Sequence, residues 1–386
     1  MAGGHSMFSV LQVIGDGRPG GGTTAVLGLA QGLAQRGTPV AIASDAKSYL
    51  IYESRKNNIP VIELDFSKRR NTAKITAALF RHLRCSPPTI VHAHGARAGL
   101  PVAFLPAILR TRTAYTVHGI HFDHKKVGVR HLAKIAERFC IRRTAFTVFV
   151  SKSDAKLASD RGLVSRLDSC RVIYCAIPHE GRLGESAPEF DIAYLGRLVP
   201  MKNVLLLPRI LLALRPAKPT LHIIGGGESE HVLRRAIYAA GLAEQVTFAG
   251  ELPHTEAMAY LKRARVMLLP SLWEGLPLSV VEAMHYGIPV VGSDVRGTSE
   301  LIVDGQTGFL VPVNNVTGYA ERVQQLLSDE SLRRNIGERA VTRVRATFSM
   351  ERQVAEHLNL YAYLAASKDA RLGPRTNDDL MQLDCQ

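Results

Sequence analysis

Short apolar runs alternate with stretches of helical periodicity along almost the whole chain. The first run, FSVLQVIGDG, is typical of a strand that ends in a glycine loop, and TTAVLGLAQGLAQRG follows it with apolar residues at helical spacing. Continuous Val- and Ile-rich runs separated by helices predict an α/β fold with a parallel sheet covered on both faces. Further strands are predicted at PVAIASD, IPVIELDF, TIVHAHG, TAYTVHG and AFTVFVSKSDA.

The second half of the chain repeats this design. DIAYLGRL predicts a strand that runs into a loop, and TLHIIGGGES predicts a strand that ends in three glycines. Two cores are also expected for 386 residues. We therefore predict two doubly wound, Rossmann-like domains. The remaining predicted strands are VTFAGEL, VMLLPSLW, PVVGSDV and GFLVP.

The pattern of predicted elements divides the chain into four segments. The segment 178–188 is rich in Pro, Gly and charge, which is typical of a linker. We assign residues 1–185 to an N-terminal domain and 186–350 to a C-terminal domain. Residues 351–368 are predicted to form a helix, and the polar residues 369–386 a tail.

The net charge of +14 is distributed unevenly. Residues 1–187 contain 27 Lys and Arg against 12 Asp and Glu, whereas 188–386 contain 21 against 22. This asymmetry indicates a polyanionic partner that contacts one domain only. Nucleic acid and an anionic membrane surface are the candidates, and nucleic acid is disfavoured because the sequence contains no recognised nucleic-acid-binding module.

One basic segment favours the membrane surface. Its cations recur at every fourth residue, with Leu132, Ile135 and Phe139 between them. Such a basic amphipathic helix is typical of a membrane-surface element, although an ordinary solvated helix gives the same pattern. A second basic cluster is SKRRNTAK, at 67–74. The recurring cations are Lys126, Arg130, Lys134, Arg138 and Arg142.

The expected location is the cytoplasm, peripheral on the inner face of the cytoplasmic membrane. No run of eighteen apolar residues predicts a spanning helix, and the first apolar run lacks the cleavage-site pattern of a signal peptide. The five cysteines are scattered without C-x-x-C pairs, which indicates reduced thiols.

Two glycine loops join predicted strands to predicted helices. GDGRPGGGTTAV contains Gly20 and Gly21, and GGGES contains Gly225 and Gly226. Glycines there let a ligand approach the backbone, and a helix N-terminus favours an anion, although a tight turn without a ligand would explain them equally well. Ligands of open α/β sheets bind at the carboxyl ends of strands. We therefore expect a site in a cleft between the two domains.

The second domain offers charged residues at that same sheet edge. GRLVPMKN brings Arg197 and Lys202 there, and two cations near glycine loops suit a diphosphate, although solvated loop charges are the alternative. Glu274 follows a predicted strand, and Glu282 lies on the helix LSVVEAMHYG. The first turn of that helix directs backbone N–H groups outward, while carboxylates can hold hydroxyl groups. Together these features predict a site for a sugar nucleotide.

The histidines of HGIHFDHKK and HAH are candidate metal ligands. His118, His121 and His124 are three residues apart, a spacing that can form a metal site on a helix. The segment follows a strand, however, and is predicted to be a loop. We expect no metal, and favour structural or acceptor-side roles for His92, His94, His121 and His124.

The string EGLPLSVVE resembles the E-x7-E signature of retaining GT-B glycosyltransferases, a group that includes bacterial surface-polysaccharide and phosphatidylinositol mannosyltransferases. The resemblance covers residues 7–365 and implies a GT-B fold, two Rossmann-like domains facing a cleft, with an acceptor-binding N-terminal domain. It also implies that the helix 351–368 crosses back to that domain. Supporting motifs are GGGTTAV, TVHG, VSKSDA, YLGRLVPMKN, IIGGGE, VTFAG and GIPVVGSDVRGTSELIVDGQTGFLV.

The resemblance implies roles for individual residues. Arg197 and Lys202 would neutralise a leaving diphosphate without a metal, because no D-x-D motif is present. Glu282 would hold ribose hydroxyls, Glu274 would contact the donor sugar without acting as a nucleophile, and His118 would lie beside that sugar. Contacts to phosphate or base are implied for Gly20, Gly21, Gly225, Gly226, Glu251, Leu252, Gly275, Leu276, Leu278 and Ser279.

The expected function is retaining transfer of a sugar from a UDP- or GDP-sugar to a lipid-linked or glycan acceptor. It would serve synthesis of bacterial cell-surface polysaccharide or lipopolysaccharide, with no cofactor required. Two alternatives remain, a sugar-nucleotide epimerase of the same fold and a non-catalytic membrane-binding protein. The paired strings GRLVPMK and EGLPLSVVE disfavour both.

Overall fold

The structure, a computed structural model, describes residues 8–85, 90–120, 122, 127–164, 169–177, 188–215 and 217–366. The described chain divides into two compact units. The first contains the residues up to Ile173 together with those from Gln353 onward, and the second is Tyr174–Arg352. Apart from Pro188, the predicted linker lies outside the described residues, as does the predicted tail.

The first unit contains a sheet of seven parallel strands in the order β3-β2-β1-β4-β5-β6-β7. The central strands β1, β4, β5 and β6 are buried at every position, because helices cover both faces of the sheet. The strands are β1 (Val10–Ile14), β2 (Val40–Asp45), β3 (Val61–Leu64), β4 (Ile90–His94), β5 (Thr113–Val117), β6 (Phe146–Phe149) and β7 (Cys170–Val172).

Among the described residues, seven α-helices belong wholly to this unit, and the C-terminal helix α15 (Met350–Ala366) joins it from Gln353 onward. The ring of Tyr361 on α15 packs edge-on against Phe8 and His92, so the last helix completes the core of the first unit. The seven are α1 (Gly21–Gln35), α2 (Tyr49–Lys56), α3 (Thr72–Cys85), α4 (Gly95–Ala103), α5 (Ala107–Arg110), α6 (Val127–Arg143) and α7 (Lys152–Asp160).

The second unit contains a sheet of six parallel strands in the order β10-β9-β8-β11-β12-β13. Its strands are β8 (Phe190–Leu195), β9 (Leu221–Ile224), β10 (Val246–Gly250), β11 (Ala264–Leu269), β12 (Val290–Ser293) and β13 (Phe309–Val311). Its helices are α8 (Leu207–Ala213), α9 (Glu230–Ala239), α10 (His254–Leu261), α11 (Leu278–His285), α12 (Thr298–Leu301), α13 (Val316–Ser328) and α14 (Glu330–Thr347).

Each sheet has one point at which the strand order reverses. In the first sheet it lies between β1 and β4, and in the second between β8 and β11. Connections leave the sheet toward opposite faces at such a point, which opens a crevice beyond the carboxyl ends of the two strands. Ligand-binding residues are therefore expected in the loops that follow these four strands. Among the described helices, none combines the length and apolar character that spanning a bilayer requires.

Candidate functional site

Two loops come together at the carboxyl edge of the second sheet. The loop after β8 contains Arg197 and Lys202, and the loop after β11 contains Glu274. The N–H of Leu272 donates a hydrogen bond to the carbonyl of Met201 at 2.8 Å, which joins the two loops. The predicted charged residues of GRLVPMKN and SLWEG therefore share one edge of the sheet.

Lys202 and Glu274 form a shielded ion pair at this edge. Nζ of Lys202 lies 2.5 Å from Oε1 of Glu274, and the hydroxyl of Ser271 donates to the same oxygen at 2.6 Å. The side chains of Lys202 and Glu274 are only 12% and 6% exposed, so their charges are screened less than those of a surface pair. The pair holds an ammonium group in a fixed position beside a carboxylate.

Arg197 supplies a second positive charge from the same loop. Its side chain is exposed, and within the residues that the structure describes its guanidinium forms no ion pair. Its backbone is held by the buried Tyr194, whose hydroxyl donates to the carbonyl of Arg197 at 2.9 Å. Burial, with the charge of Glu274, raises the pKa of Tyr194 well above its usual value, so the hydroxyl remains a donor.

The helix α11 brings a carboxylate and free backbone donors to this region. Pro277 precedes its first residue, Leu278, and the carbonyl of Pro277 accepts from the N–H of Val280 at 3.0 Å. Among the described residues, the free donors of the first turn are therefore the N–H groups that precede Val280 in the helix. Glu282 is buried, and its Oε1 lies 2.9 Å from Nε2 of His254 at the start of α10. Sequence reasoning missed His254, although the residue closely follows Glu251 and Leu252, for which the resemblance implies contacts to the ligand.

Packing explains the glycines of the second unit. Gly225 has a φ of 129°, and a Cβ there would collide with the carbonyl oxygen of Gly196. A Cβ on Gly226 would lie 2.9 Å from Cγ of Glu251. The N–H of Leu198 donates to the carbonyl of Gly226 at 2.8 Å. The glycines thus allow two backbone loops to touch, which is a structural reason independent of any ligand.

The glycine loop of the first unit, which leads into α1, has no such packing requirement at Gly22 among the described residues. Gly20 directly precedes α1 with a φ of 155°, and Gly21 is the first residue of that helix. A Cβ added at Gly22 would meet no atom within 4 Å. No neighbouring atom requires a glycine at Gly22, so the start of α1 leaves its backbone open to a ligand.

His118 is the end of a hydrogen-bonded chain in the first unit. Its Nε2 lies 3.0 Å from Nδ1 of His94, whose Nε2 lies 2.5 Å from Oε1 of Gln12. The amide nitrogen of Gln12 donates to the hydroxyl of Tyr361 at 3.1 Å. The same hydroxyl lies 2.6 Å from Nδ1 of His92. The predicted histidines of HAH and TVHG are thereby connected through β1 and α15.

Burial keeps these histidines neutral. It lowers the pKa of His92 and His94 well below the usual value, and lowers the pKa of His118 and of the neighbouring His357 to about 4. Among the described residues no cluster of His, Cys, Asp and Glu has the arrangement of a metal site. His121 and His124 lie outside the described residues.

Two family models match most of the chain. A model of group 1 glycosyl transferases matches residues 179–343, and a model of the glycosyl transferase 4-like domain matches residues 20–176. The two matched ranges correspond closely to the second unit and to the bulk of the first.

Curated relatives carry similar descriptions. The putative glycosyltransferase EpsD of Bacillus subtilis is 25% identical over 354 residues, which are 85% of this chain and 90% of that protein. The N-acetyl-alpha-D-glucosaminyl L-malate synthase of Bacillus anthracis is 34% identical over 141 residues, which are 36% of each protein. The lipopolysaccharide core biosynthesis mannosyltransferase LpcC of Rhizobium leguminosarum is 31% identical over 171 residues, which are 42% of this chain and 48% of that protein.

Solved structures share the fold. Anabaena HepE in complex with UDP-glucose superposes with a TM-score of 0.78 at 19% identity, covering 92% of this chain and 99% of that one. Sucrose-phosphate synthase of Thermosynechococcus elongatus gives 0.76 at 20% identity, covering 93% and 100%. At these identities the likeness shows the fold alone.

Proposed function

Because the chain belongs to the group 1 glycosyltransferases, which are retaining enzymes with the GT-B fold, we propose that it transfers a sugar from a UDP- or GDP-sugar to a lipid-linked or glycan acceptor. Family membership confirms the predicted fold class and the predicted reaction class. The proposed setting is synthesis of bacterial cell-surface polysaccharide or lipopolysaccharide. EpsD and the lipopolysaccharide mannosyltransferase LpcC, both similar to this chain, support that setting.

The observation that carries the proposal is the shielded ammonium of Lys202 at the reversal point of the second sheet. Transfer of a sugar from a nucleotide-diphosphate donor leaves negative charge on the diphosphate, and fixed cations stabilise a transition state in which that charge develops. Lys202 is fixed by Glu274, whereas Arg197 in the same loop remains free to meet a phosphate. Neither cation requires a metal, and we propose that none is needed.

The remaining roles follow the chemistry of each side chain. We assign Glu274 to the hydroxyls of the donor sugar and Glu282, braced by His254, to the ribose hydroxyls. The first-turn N–H groups of α11 suit the phosphates, since a helix N-terminus favours an anion. Backbone and loop contacts to phosphate or base are assigned to Gly20, Gly21, Gly225, Gly226, Glu251, Leu252, Gly275, Leu276, Leu278 and Ser279.

His118 is assigned to the donor sugar from the first unit. A neutral imidazole can accept a hydrogen bond from a hydroxyl or donate one, and burial keeps His118 neutral near pH 7. UDP is the first nucleotide to test, because the Anabaena structure with the same fold was solved with UDP-glucose.

One face of α6 has the composition expected of a helix that lies on a membrane carrying the acceptor. Val129, Leu132 and Ile135 are 49%, 66% and 58% exposed, and Arg130 and Arg138 are exposed beside them. The opposite face of α6 packs against the sheet, and there the hydroxyl of Tyr115 on β5 donates a hydrogen bond to Glu137 on α6 at 2.7 Å. Apolar side chains interleaved with cations on a free face suit an anionic leaflet. We therefore propose peripheral binding to the inner face of the cytoplasmic membrane.

A thermal-shift screen of UDP, GDP, ADP and their sugar conjugates, without added metal, tests the donor. A ligand that binds only the folded chain raises its melting temperature. We expect one nucleotide family to raise it, and the rise to be lost in Arg197→Ala. A matched control is Arg209→Ala, an exposed arginine on α8. No shift with any nucleotide would overturn the assignment of the site.

Product analysis separates the alternatives. A transferase releases a nucleoside diphosphate together with a new glycosidic bond. An epimerase would return a rearranged sugar nucleotide or sugar without an acceptor product, and a non-catalytic protein would yield neither. Retention is tested by the anomeric configuration of the product.

A further inference from the structure

The hydrogen-bonded chain that ends at His118 is continuous through the core of the first unit. Beyond the His118–His94–Gln12 portion, the hydroxyl of Tyr361 bridges Gln12 and His92, and Nε2 of His92 lies 2.7 Å from Oγ1 of Thr116. All of these side chains except that of His118 are buried. Apolar residues of similar size would fill this space without requiring so many matched partners, which indicates a purpose beyond packing.

The amide of Gln12 sets the direction of the hydrogen bonds that join Gln12, His94 and His118. Its amide oxygen can only accept, so Nε2 of His94 must carry the proton that it donates. Nδ1 of the neutral His94 is then an acceptor, and Nε2 of His118 must donate to it. His118 therefore carries its proton on Nε2.

The other half of the chain is consistent with this direction. The amide nitrogen of Gln12 donates to Tyr361, whose own hydroxyl proton is then available for Nδ1 of His92. With Nδ1 of His92 as the acceptor of that proton, Nε2 of His92 donates to Thr116. Both partners of His92 are hydroxyls that can donate or accept, so Gln12 fixes the proton on Nε2 for His94 and His118 and leaves His92 free to take either form.

We propose that Gln12 and His94 are positioning residues that hold His118 with its proton on Nε2, so that Nδ1 accepts a hydrogen bond from a hydroxyl of the bound sugar. Among the described residues, Nδ1 of His118 has no hydrogen-bond partner. This inference rests on the proposed function. It adds the direction of the hydrogen bond to the sugar, because the sugar hydroxyl must donate and Nδ1 must accept. A donor sugar whose hydroxyl at that position is replaced by fluorine or hydrogen would lose the contact.

The protonation state of the histidines supports this assignment at physiological pH. Burial lowers the pKa of His118 to about 4, so protonation does not convert Nδ1 into a donor under ordinary conditions. His94 is held neutral in the same way, which keeps its Nδ1 available to His118.

The first test reads the tautomer directly. Long-range proton–nitrogen correlation spectra of the full chain labelled with 15N-histidine distinguish a proton on Nε2 from one on Nδ1. The signal of His118 is assigned by its loss in His118→Gln. We expect the Nε2–H pattern near pH 7. An Nδ1–H pattern or a cationic ring in the wild-type chain would overturn the inference.

The second test separates sugar recognition from nucleotide recognition. Affinities for UDP and UDP-glucose, and for GDP and GDP-mannose, are measured by calorimetry for the wild type, His94→Leu and His94→Gln. Leucine cannot accept from His118, so we expect the sugar conjugate to bind about tenfold more weakly while the nucleotide diphosphate binds as before. Glutamine can accept from His118 and donate to Gln12, so His94→Gln should restore both the affinity and the Nε2–H spectrum.

The outcomes distinguish this inference from the proposed function. If the wild-type chain binds none of these ligands, the proposed function fails. If it binds them but His94→Leu leaves the ratio of sugar-conjugate to nucleotide affinity unchanged, only the positioning role fails. If His94→Leu does not fold, the wild-type spectrum still decides the tautomer of His118. The two single variants Gln12→Leu and His94→Gln then replace it in the comparison of sugar-conjugate affinity with nucleotide affinity.

Discussion

The ammonium nitrogen of Lys202 lies 2.5 Å from Oε1 of Glu274, a residue 72 positions later in the chain. The contact exists because β8 and β11 are adjacent parallel strands whose carboxyl ends release both loops on the same side. The pair combines a charge that can stabilise a leaving diphosphate with a carboxylate that keeps that charge in place. Replacing Lys202 and replacing Glu274 are therefore expected to affect sugar transfer for different reasons.

Replacing Lys202 with alanine should reduce sugar transfer by about 10²–10³-fold, because a fixed cation at the developing charge is lost. Glu274 keeps the hydrogen bond from Ser271, so the loss of unfolding free energy should stay within about 1–3 kcal/mol. Initial rates of nucleoside diphosphate release, with thermal unfolding in parallel, provide the measurement. Lys218→Ala, at an exposed lysine of the same unit, is the control. Turnover within threefold of the wild type would contradict the role of Lys202.

Glu282→Gln should weaken binding of the donor by about tenfold, because a neutral amide accepts ribose hydroxyls less strongly than a carboxylate does. The same change should abolish discrimination against the 2′-deoxy form of the nucleotide diphosphate. Competition assays with the ribose and deoxyribose forms test both statements. Glu256→Gln, an exposed glutamate on α10, is the matched control. Discrimination that survives in Glu282→Gln would place the ribose elsewhere.

The neutral histidines of the first unit should make its stability fall in acid. Their pKa values lie below the value of about 6.5 expected in the unfolded chain, at about 4 for His118 and His357, and burial also lowers the pKa of His92 and His94 well below the usual value. Between about pH 6.5 and 4 the unfolded chain therefore binds more protons than the folded chain. The free energy of unfolding should decrease by up to about 1.4 kcal/mol per pH unit for each neutral histidine.

A variant identifies the contribution of the histidines. His357→Gln removes one titrating group, so urea unfolding from about pH 7.5 to 4.5 should show a shallower loss of stability, by about one proton. His231→Gln, at an exposed histidine of the second unit, should leave the slope unchanged. Equal slopes for the wild type and His357→Gln would mean that His357 is already protonated in the folded chain.

The double change Arg130→Gln and Lys134→Gln on α6 should weaken binding to vesicles that contain phosphatidylglycerol by about 30-fold, since each near-surface cation contributes about 1 kcal/mol. Affinity for the nucleotide donor should not change. Lys126, which belongs to the same predicted repeat, lies outside the described residues. Vesicle sedimentation at fixed salt is the measurement, and Arg209→Gln with Arg235→Gln in the second unit is the control. Unaltered sedimentation of the α6 variant would remove the support for a membrane-facing helix.

The pattern of apolar runs predicted most of the fold correctly. The runs TIVHAHG and VMLLPSLW are apolar and are interrupted or ended by Gly or Pro, so each identified a buried strand. The pattern failed at β7, Cys170–Val172, because an edge strand of three partly exposed residues carries little periodicity. The strand order also depends on pairings between distant segments, for which a single sequence has no direct signal.

The candidate site could be predicted only in part. GRLVPMKN and EGLPLSVVE identified four charged residues of one sheet edge, because parallel strands end on the same side. The partner of Glu282 was missed, since His254 lies 28 residues earlier at the start of another helix. The packing role of the glycines of GGGES could not be predicted either, because it depends on the backbone of Gly196, which occupies the space beside Gly225. Contacts of this kind depend on loop packing, which spacing along the chain does not encode.

The place of Tyr361 in the core of the first unit has a consequence for the order in which the protein is made. At about 5–20 residues per second, a ribosome needs roughly 10–40 s to synthesise the roughly 190 residues between Ile173 and Tyr361. Throughout that interval Gln12 and His92 lack the hydroxyl that they share in the finished protein. The second unit, which ends at Arg352, emerges complete before Tyr361 does. The unit whose synthesis begins first is therefore completed after the second unit, because it depends on a helix that follows the second unit in the chain.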